Sequence, residues 1–362
     1  MMTQTPYQQL AARLNSLPSG FPATASGAEL RLLAKLFTPE EAALAAQLRQ
    51  TKETPAQIAE RIGAEADDLA KQLKSMAKRG LIGAGRFDDG LRFGLIPFVI
   101  GIYENQGPVI DAELARLFED YYQQSFVHMN AIEPQLHRVI PINESIPIGI
   151  EIHPHESAAE IVNQAQAWGV VDCICRKQKA LVGDPCEHPV EDTCMVLSQT
   201  PGAFDQASLI HALTREEALA TLRHAADIGL VHSLGNYREG VSYICNCCTC
   251  SCGILRGISE QGLANAVARS PFVSQVDEDL CSSCEICLDV CQFSALAPND
   301  AGVMSVNRVR CVGCGQCVIN CPDEAISLAR RPAEEIKPVP ATEHDWGAAR
   351  AASRGLNLDE IL

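Results

Sequence analysis

No stretch of this chain stays apolar long enough to cross a bilayer. The best run, Leu95 to Tyr103, is about half of the roughly 20 residues a spanning helix needs. It reads as buried core, so any membrane contact would come through a partner. The N-terminus, MMTQTPYQQLAARLN, lacks the apolar core of a secretion signal, and a cytoplasmic protein is expected. A dinucleotide fingerprint is also missing: Gly83-Ala-Gly85 has Asp88 where the third glycine belongs. There is no P-loop and no Cys-x-x-Cys-His for covalent haem. These absences leave no visible site for nicotinamide, flavin or nucleotide.

Cysteine is what the chain has in excess, with seventeen in 362 residues. Secreted disulfide scaffolds are usually short, and cysteines clumped in a long cytosolic chain point to metal. Charge is uneven. Residues 1–100 hold 12 Lys/Arg and 10 Asp/Glu, whereas the remainder holds 17 and 35. The cysteine-rich part is therefore acidic, which repels nucleic acid and can steer a basic redox partner; plain solubility is the simpler reading.

The pattern predicts an α+β multidomain chain. Residues 1–28 read as a flexible arm with a breaker-rich hinge, LPSGFPATASG. Helical periodicity follows, with Thr54-Pro55 opening one helix and Leu69, Leu73 and Met76 on one face of the next. LIGAGRFDDGLRFGLI then reads as a hairpin around Asp89-Gly90. This order resembles a winged helix-turn-helix over residues 29–103. The resemblance leaves DNA binding open: Lys71, Lys74, Lys78 and Arg79 could face phosphates, but Asp67 and Asp68 open the same helix. A helical connector is expected over 104–143, with a helix from Asp111 to Gln124. A cysteine-rich α/β middle domain is expected over 144–265, with strands at ESIPIGIEI, VVDCIC and SYICNC and helices over 157–168 and 215–228. Residues 272–330 read as a separate cysteine-rich unit. Residues 331–362 read as a tail, mobile on its own, with a possible docking helix.

Eight cysteines fall in two runs, Cys281-x2-Cys284-x2-Cys287-x3-Cys291 and Cys311-x2-Cys314-x2-Cys317-x3-Cys321-Pro322. Three cysteines two apart let one loop wrap three corners of a cubane, and the fourth corner takes a cysteine from the other run. This resembles the bacterial two-[4Fe–4S] ferredoxin family. Cluster one should use Cys281, Cys284, Cys287 and Cys321; cluster two should use Cys311, Cys314, Cys317 and Cys291. Gly313 and Gly315 would let backbone approach the cofactor. One departure is Gln292, which follows Cys291 where Pro322 follows Cys321.

Nine cysteines remain. One group is Cys173, Cys175, Cys186 and Cys194; the other is Cys245, Cys247, Cys248, Cys250 and Cys252. Thiolates so close repel unless a cation holds them. One or two further [4Fe–4S] clusters fit, structural zinc is possible instead, and mixed arrangements stay open. If their strands are neighbours, Cys173 and Cys175 lie near Cys245 and Cys247. Arg176 would neutralise cluster charge or bond a sulfide, or else form a surface salt bridge. His188, two residues after Cys186, could ligate, but a solvent-exposed histidine is the simpler reading.

The whole order resembles multi-cysteine ferredoxin-like proteins of anaerobic bacteria, which implies electron transfer. The leading expectation is an iron–sulfur carrier or oxidoreductase subunit serving a redox partner protein. The alternatives are a redox-sensing DNA-binding regulator and a reductase subunit with a catalytic middle-domain cluster.

Overall fold

Three helices near the N-terminus begin with a threonine followed by a proline. In the computed structural model, which describes residues 4–358, Thr5, Thr38 and Thr54 each accept a bond from the N–H three residues on, and Gln8, Glu41 and Gln57 bond back to the cap. These capping boxes start α1 (Pro6–Ser16) and, beyond α2 (Ala28–Leu36), α3 (Pro39–Ala45) and α4 (Pro55–Ile62). Next, α5 (Ala66–Lys78) buries Leu69, Leu73 and Met76. The hairpin of β1 (Gly83–Phe87) and β2 (Gly90–Gly94) pairs Phe87 with Gly90, so its turn is Asp88-Asp89, one residue earlier than expected.

The chain divides into two units, and the first comprises residues 1–129, 177–185 and 347–362. Its aromatic core joins the Leu95–Tyr103 segment to α6 (Ala112–Tyr121) and the turn before α7 (Val127–Met129). Tyr103 stacks on Phe118 at 3.7 Å, and Phe21 packs on Phe98 at 4.6 Å and Tyr121 at 4.7 Å. Phe21 also corrects the expected flexible arm. Residues 1–28 carry α1, and Leu10, Leu14, Leu17 and Phe21 are buried. The breaker-rich hinge is a folded turn that delivers Phe21 to the core.

The second unit comprises residues 130–176 and 186–346. It holds an antiparallel sheet of β3 (His137–Val139), β4 (Ala167–Val171), β5 (Cys194–Ser198), β6 (His211–Leu213), β7 (Val231–Gly235) and β8 (Tyr243–Cys247), in the order β3-β7-β8-β5-β4-β6. Helices α8 (Ala158–Gln164) and α10 (Arg215–Asp227) cover one face, with Ile161, Val162, Ala218 and Leu222 packed among Val170, Leu197, Leu234 and Ile244. Helix α9 (Ile174–Leu181) begins in this unit and runs on into the 177–185 segment of the first, and α11 (Arg256–Gln261) follows β8. No strand forms at ESIPIGIEI: Asn143–Ser145 is a 3-10 turn, Pro147 has no N–H to donate, and Ile148 is fully exposed. VVDCIC is a strand only to Val171, and Cys175 already lies in α9.

In the ferredoxin-like part, β9 (Phe272–Val276) pairs antiparallel with β12 (Ile326–Arg330), closing the segment on itself. Between them lie α12 (Ile286–Val290), the hairpin of β10 (Leu296–Pro298) and β11 (Met304–Val306), and α13 (Gln316–Ile319). The segment is bonded to the sheet domain. Gln316 Nε2 donates to Ala226 and Leu230 carbonyls at the end of α10, and Ile142 N–H donates to Cys314 O at 2.9 Å. The expected mobile tail is also held. It forms α14 (Glu343–Ser353), whose Arg350 is fully buried and donates to Pro18 O and Met129 O. These are carbonyls the backbone leaves open at chain reversals.

His137 on β3 is buried between Ser233 Oγ at 3.2 Å and Tyr243 OH at 3.0 Å. Burial pushes its pKa down to about 3. The folded state therefore keeps the ring neutral while the unfolded chain binds a proton near pH 6.5. This stability is complete above pH 6.5 and is lost as pH falls toward 3. Anaerobic urea titrations at pH 7.5 and 5.5 should show the wild type losing about 1.4 kcal/mol more than His137→Gln. Equal losses would show that His137 takes up its proton in the folded state.

Candidate metal centres

The two ferredoxin-like runs fold into loops that enter α12 and α13 and leave a cysteine just beyond each helix. Cys281, Cys284, Cys287 and Cys321 line one cavity, with Met304 and Ile326. Cys291, Cys311, Cys314 and Cys317 line a second, with Phe293, Leu296 and Val306. Each cavity thus takes three cysteines from one run and one from the other. Burial raises the Cys314 thiol well above its usual range and pushes Cys317 up to about 12. Thiols in these apolar cavities ionise only when a cation supplies the compensating charge.

The loops share a backbone but not a setting. Residues two and four places after the first cysteine are left-handed in both: Ser283 and Glu285 in the first loop, Gly313 and Gly315 in the second. The first loop is exposed from Ser282 to Ile286, whereas Cys311 to Gly313 and Gly315 to Cys317 are buried. A Cβ on Gly313 would stand 2.1 Å from Phe272 O, and one on Gly315 would stand 2.0 Å from Ser145 Oγ. The close approach that requires glycine here is protein on protein. Gln292 also lies at this contact. It donates to Gly229 O and accepts from Thr249 N–H, so the residue that replaces the expected proline bonds to the sheet domain.

The nine remaining cysteines sort differently from their order in the chain. Strand β5 lies between β4 and β8, so the two Cys-x-Cys segments are not on neighbouring strands. Cys194, which starts β5, pairs with Cys245 on β8. Six thiols then follow one another in a closed ring: Cys173, Cys175, Cys252, Cys247, Cys245 and Cys194. Hydrogen bonds from Cys175 and Cys194 hold Cys173 well below the usual thiol range, and those from Cys245 and Cys252 bring Cys247 down to about 7. Cys175 and Cys194 are raised in turn, first by their bonds to Cys173, and Cys245 is raised first by its bond to Cys194.

Alternation along β8 explains the division. Cys245 and Cys247 share a face, and the next residue points the other way. Cys248 leaves the ring and joins Cys186, His188 and Cys250, whose ligand atoms all lie within 4.8 Å of one another. Cys186 Sγ is 2.9 Å from Cys250 Sγ, 3.5 Å from Cys248 Sγ and 3.2 Å from His188 Nδ1. The expected grouping of Cys186 with Cys173, Cys175 and Cys194 does not occur, and His188 is half-buried among thiols rather than exposed. The paired spacings Cys186-x-His188 and Cys248-x-Cys250 are the sequence signal that identifies this group.

Arg176 is 1% exposed, which excludes the surface salt bridge. It donates to Pro189 O, Thr193 Oγ1 and Asn246 O at 2.9–3.0 Å. Burial opposes its charge, but the Cys173 and Cys248 thiolates outweigh that and keep it protonated. The guanidinium therefore serves a ring thiol and a thiol of the second group together.

Residues 280–326 match the family described as the 4Fe-4S dicluster domain. The chain is 29% identical over 87 residues to the uncharacterized ferredoxin-like protein YdhX of Escherichia coli K12, covering 22% of this chain and 39% of that one. It is 29% identical over 92 residues to the thiosulfate reductase electron transfer subunit PhsB of Salmonella typhi, covering 22% and 46%. It is 33% identical over 66 residues to an archaeal-type glutamate synthase [NADPH] of Dehalococcoides mccartyi, covering 18% and 13%. The chain thus spans less than half the length of these curated relatives. No solved structure matches it.

The two loops predict opposite responses to substitution. Gly313→Ala combines left-handed strain with a backbone clash and should cost about 3 kcal/mol or more. Ser283→Gly relieves an exposed left-handed residue and should be neutral within about 1 kcal/mol. Anaerobic denaturation midpoints check both, and an unchanged Gly313→Ala midpoint would refute the packing argument.

Proposed function

We propose that this chain is an iron–sulfur electron-transfer protein that carries single electrons between a partner oxidoreductase and a third centre in its sheet domain. The observation that carries the reading is the pair of crossed four-cysteine cavities in the dicluster domain. Cys281, Cys284, Cys287 and Cys321 would hold one [4Fe–4S] cluster, and Cys291, Cys311, Cys314 and Cys317 the other. Four of the six ring thiols would hold a further one. Such clusters supply one-electron redox chemistry over a wide range of potentials.

The protein's own part is order and insulation. Around the outward-facing loop lie exposed Leu280 and Ile286 and the acids Glu278, Asp279, Glu285, Asp323 and Glu324. An acidic rim about an apolar patch favours a basic redox partner and speeds its docking. The second loop is packed against the sheet domain through Gln316, Gln292 and the Ile142–Cys314 bond. The first cavity would thus face the partner and the second would face the ring. The name of PhsB, an electron transfer subunit, agrees with this role.

The test is iron and sulfide per chain in anaerobically purified protein, with an EPR redox titration. About 12 irons are expected, from three cubanes. Cys245→Ser should remove about four and leave the ferredoxin pair reducible. A wild-type count near 8 would overturn the ring cluster, and a count well below 8 would overturn the electron-transfer reading.

A further inference from the structure

We infer that Cys186, His188, Cys248 and Cys250 hold one zinc ion, a closed tetrahedral clamp distinct from the six-thiol ring. The argument begins with spacing. Zinc–sulfur bonds of about 2.3 Å and zinc–nitrogen bonds of about 2.0–2.1 Å set tetrahedral ligands roughly 3.5–3.8 Å apart. Here the four ligand atoms lie within 4.8 Å of one another, with contacts from Cys186 of 2.9, 3.2 and 3.5 Å. A cubane binds each ligand at a different iron corner, so its ligand atoms stand farther apart than those around a single ion. The group is sized for one ion.

Donor chemistry selects the metal. Three thiolates and an imidazole form a closed tetrahedral set of the kind that structural zinc takes, and no position remains for water or substrate. Zinc has no redox chemistry, so this site holds structure and carries no electrons.

The elements it joins need a clamp. Residues 182–193 contain no helix or strand. Cys186 and His188 lie in that loop, and Cys248 and Cys250 lie in the turn after β8. Between the latter two is Thr249, whose N–H donates to Gln292 Oε1 at 2.7 Å. Gln292 follows Cys291, which lines the second ferredoxin cavity. The ion would therefore fix the turn on which the dicluster domain is seated. Site formation would contribute directly to folding, as structural zinc does elsewhere.

This inference stands apart from the electron-transfer reading, since zinc content tests one and iron content the other. The experiment uses the full chain, expressed with both metals supplied and purified anaerobically. Metal analysis should give about one zinc per chain. Zinc K-edge absorption should show three sulfurs at about 2.3 Å and one nitrogen at about 2.0 Å. His188→Ala and Cys250→Ser should lose most of the zinc and keep their iron. His188→Cys should keep the zinc with a four-sulfur shell, which separates ligand loss from misfolding. Wild type without zinc, or His188→Ala with full zinc, would overturn the clamp. Loss of about four irons with His188→Ala would also overturn it, by making these residues cluster ligands.

Discussion

A buried thiolate beside a second thiolate is stable only when positive charge lies within a few ångströms. That constraint governs the cysteine-rich end of the sheet. Nine thiols come there from the chain after β4 and the start of α9, from the loop before β5, and from β5, β8 and the turn that follows β8. Arg176 supplies one fixed positive charge, placed between Cys173 and Cys248. Only Cys173, Cys247 and Cys248 are held below the usual thiol range, while Cys175, Cys194, Cys245, Cys250 and Cys252 are raised; under the proposed metal loading, bound metal would supply the charge that lets the others ionise. On that proposal, the fold of this region would be linked to metal loading, because ligands that must be deprotonated to bind couple metal affinity to folding.

The seating of the dicluster domain follows from the same region. Gln292 bonds to Thr249 in the turn between two thiols and to Gly229 beyond α10. Gln316 donates to the Ala226 and Leu230 carbonyls at the end of that helix. Gln316 is buried and Gln292 half-buried, and amides that bond backbone groups on a neighbouring element away from water are costly to break, because both sides are left unpaired. The contact is therefore specific as well as close, and it lies on the side of the second cavity.

How much of this was legible in the sequence depended on whether the chemistry was local. The Cys-x2-Cys-x2-Cys runs encode one loop each, so residues 280–326 could be read directly, and their match to a dicluster domain agrees. The capping threonine at Thr54 and the buried face of α5 were legible for the same reason. The ring was not, because it depends on β5 lying between β4 and β8, a long-range pairing that spacing does not encode. His188 was missed because a single histidine two residues from a cysteine carries little weight without its partners 60 residues away. Phe21 was missed because the glycines and prolines around it dominate local propensity, while a distant aromatic core decides its position.

Gln292 and Pro322 show how two copies of one motif came to do different work. A proline after the last cysteine needs no partner and suits Cys321, whose neighbours Pro322 to Glu324 are exposed. Gln292, after Cys291, holds a neighbouring domain. The glycines repeat the asymmetry: Ser283 and Glu285 keep their side chains at the exposed loop, whereas Gly313 and Gly315 give theirs up where the protein closes over. Near-symmetric loops with opposite surroundings make one cavity accessible to an outside protein and the other accessible from within. On the proposed electron path, that difference would separate the end that meets a partner from the end that meets the sheet domain.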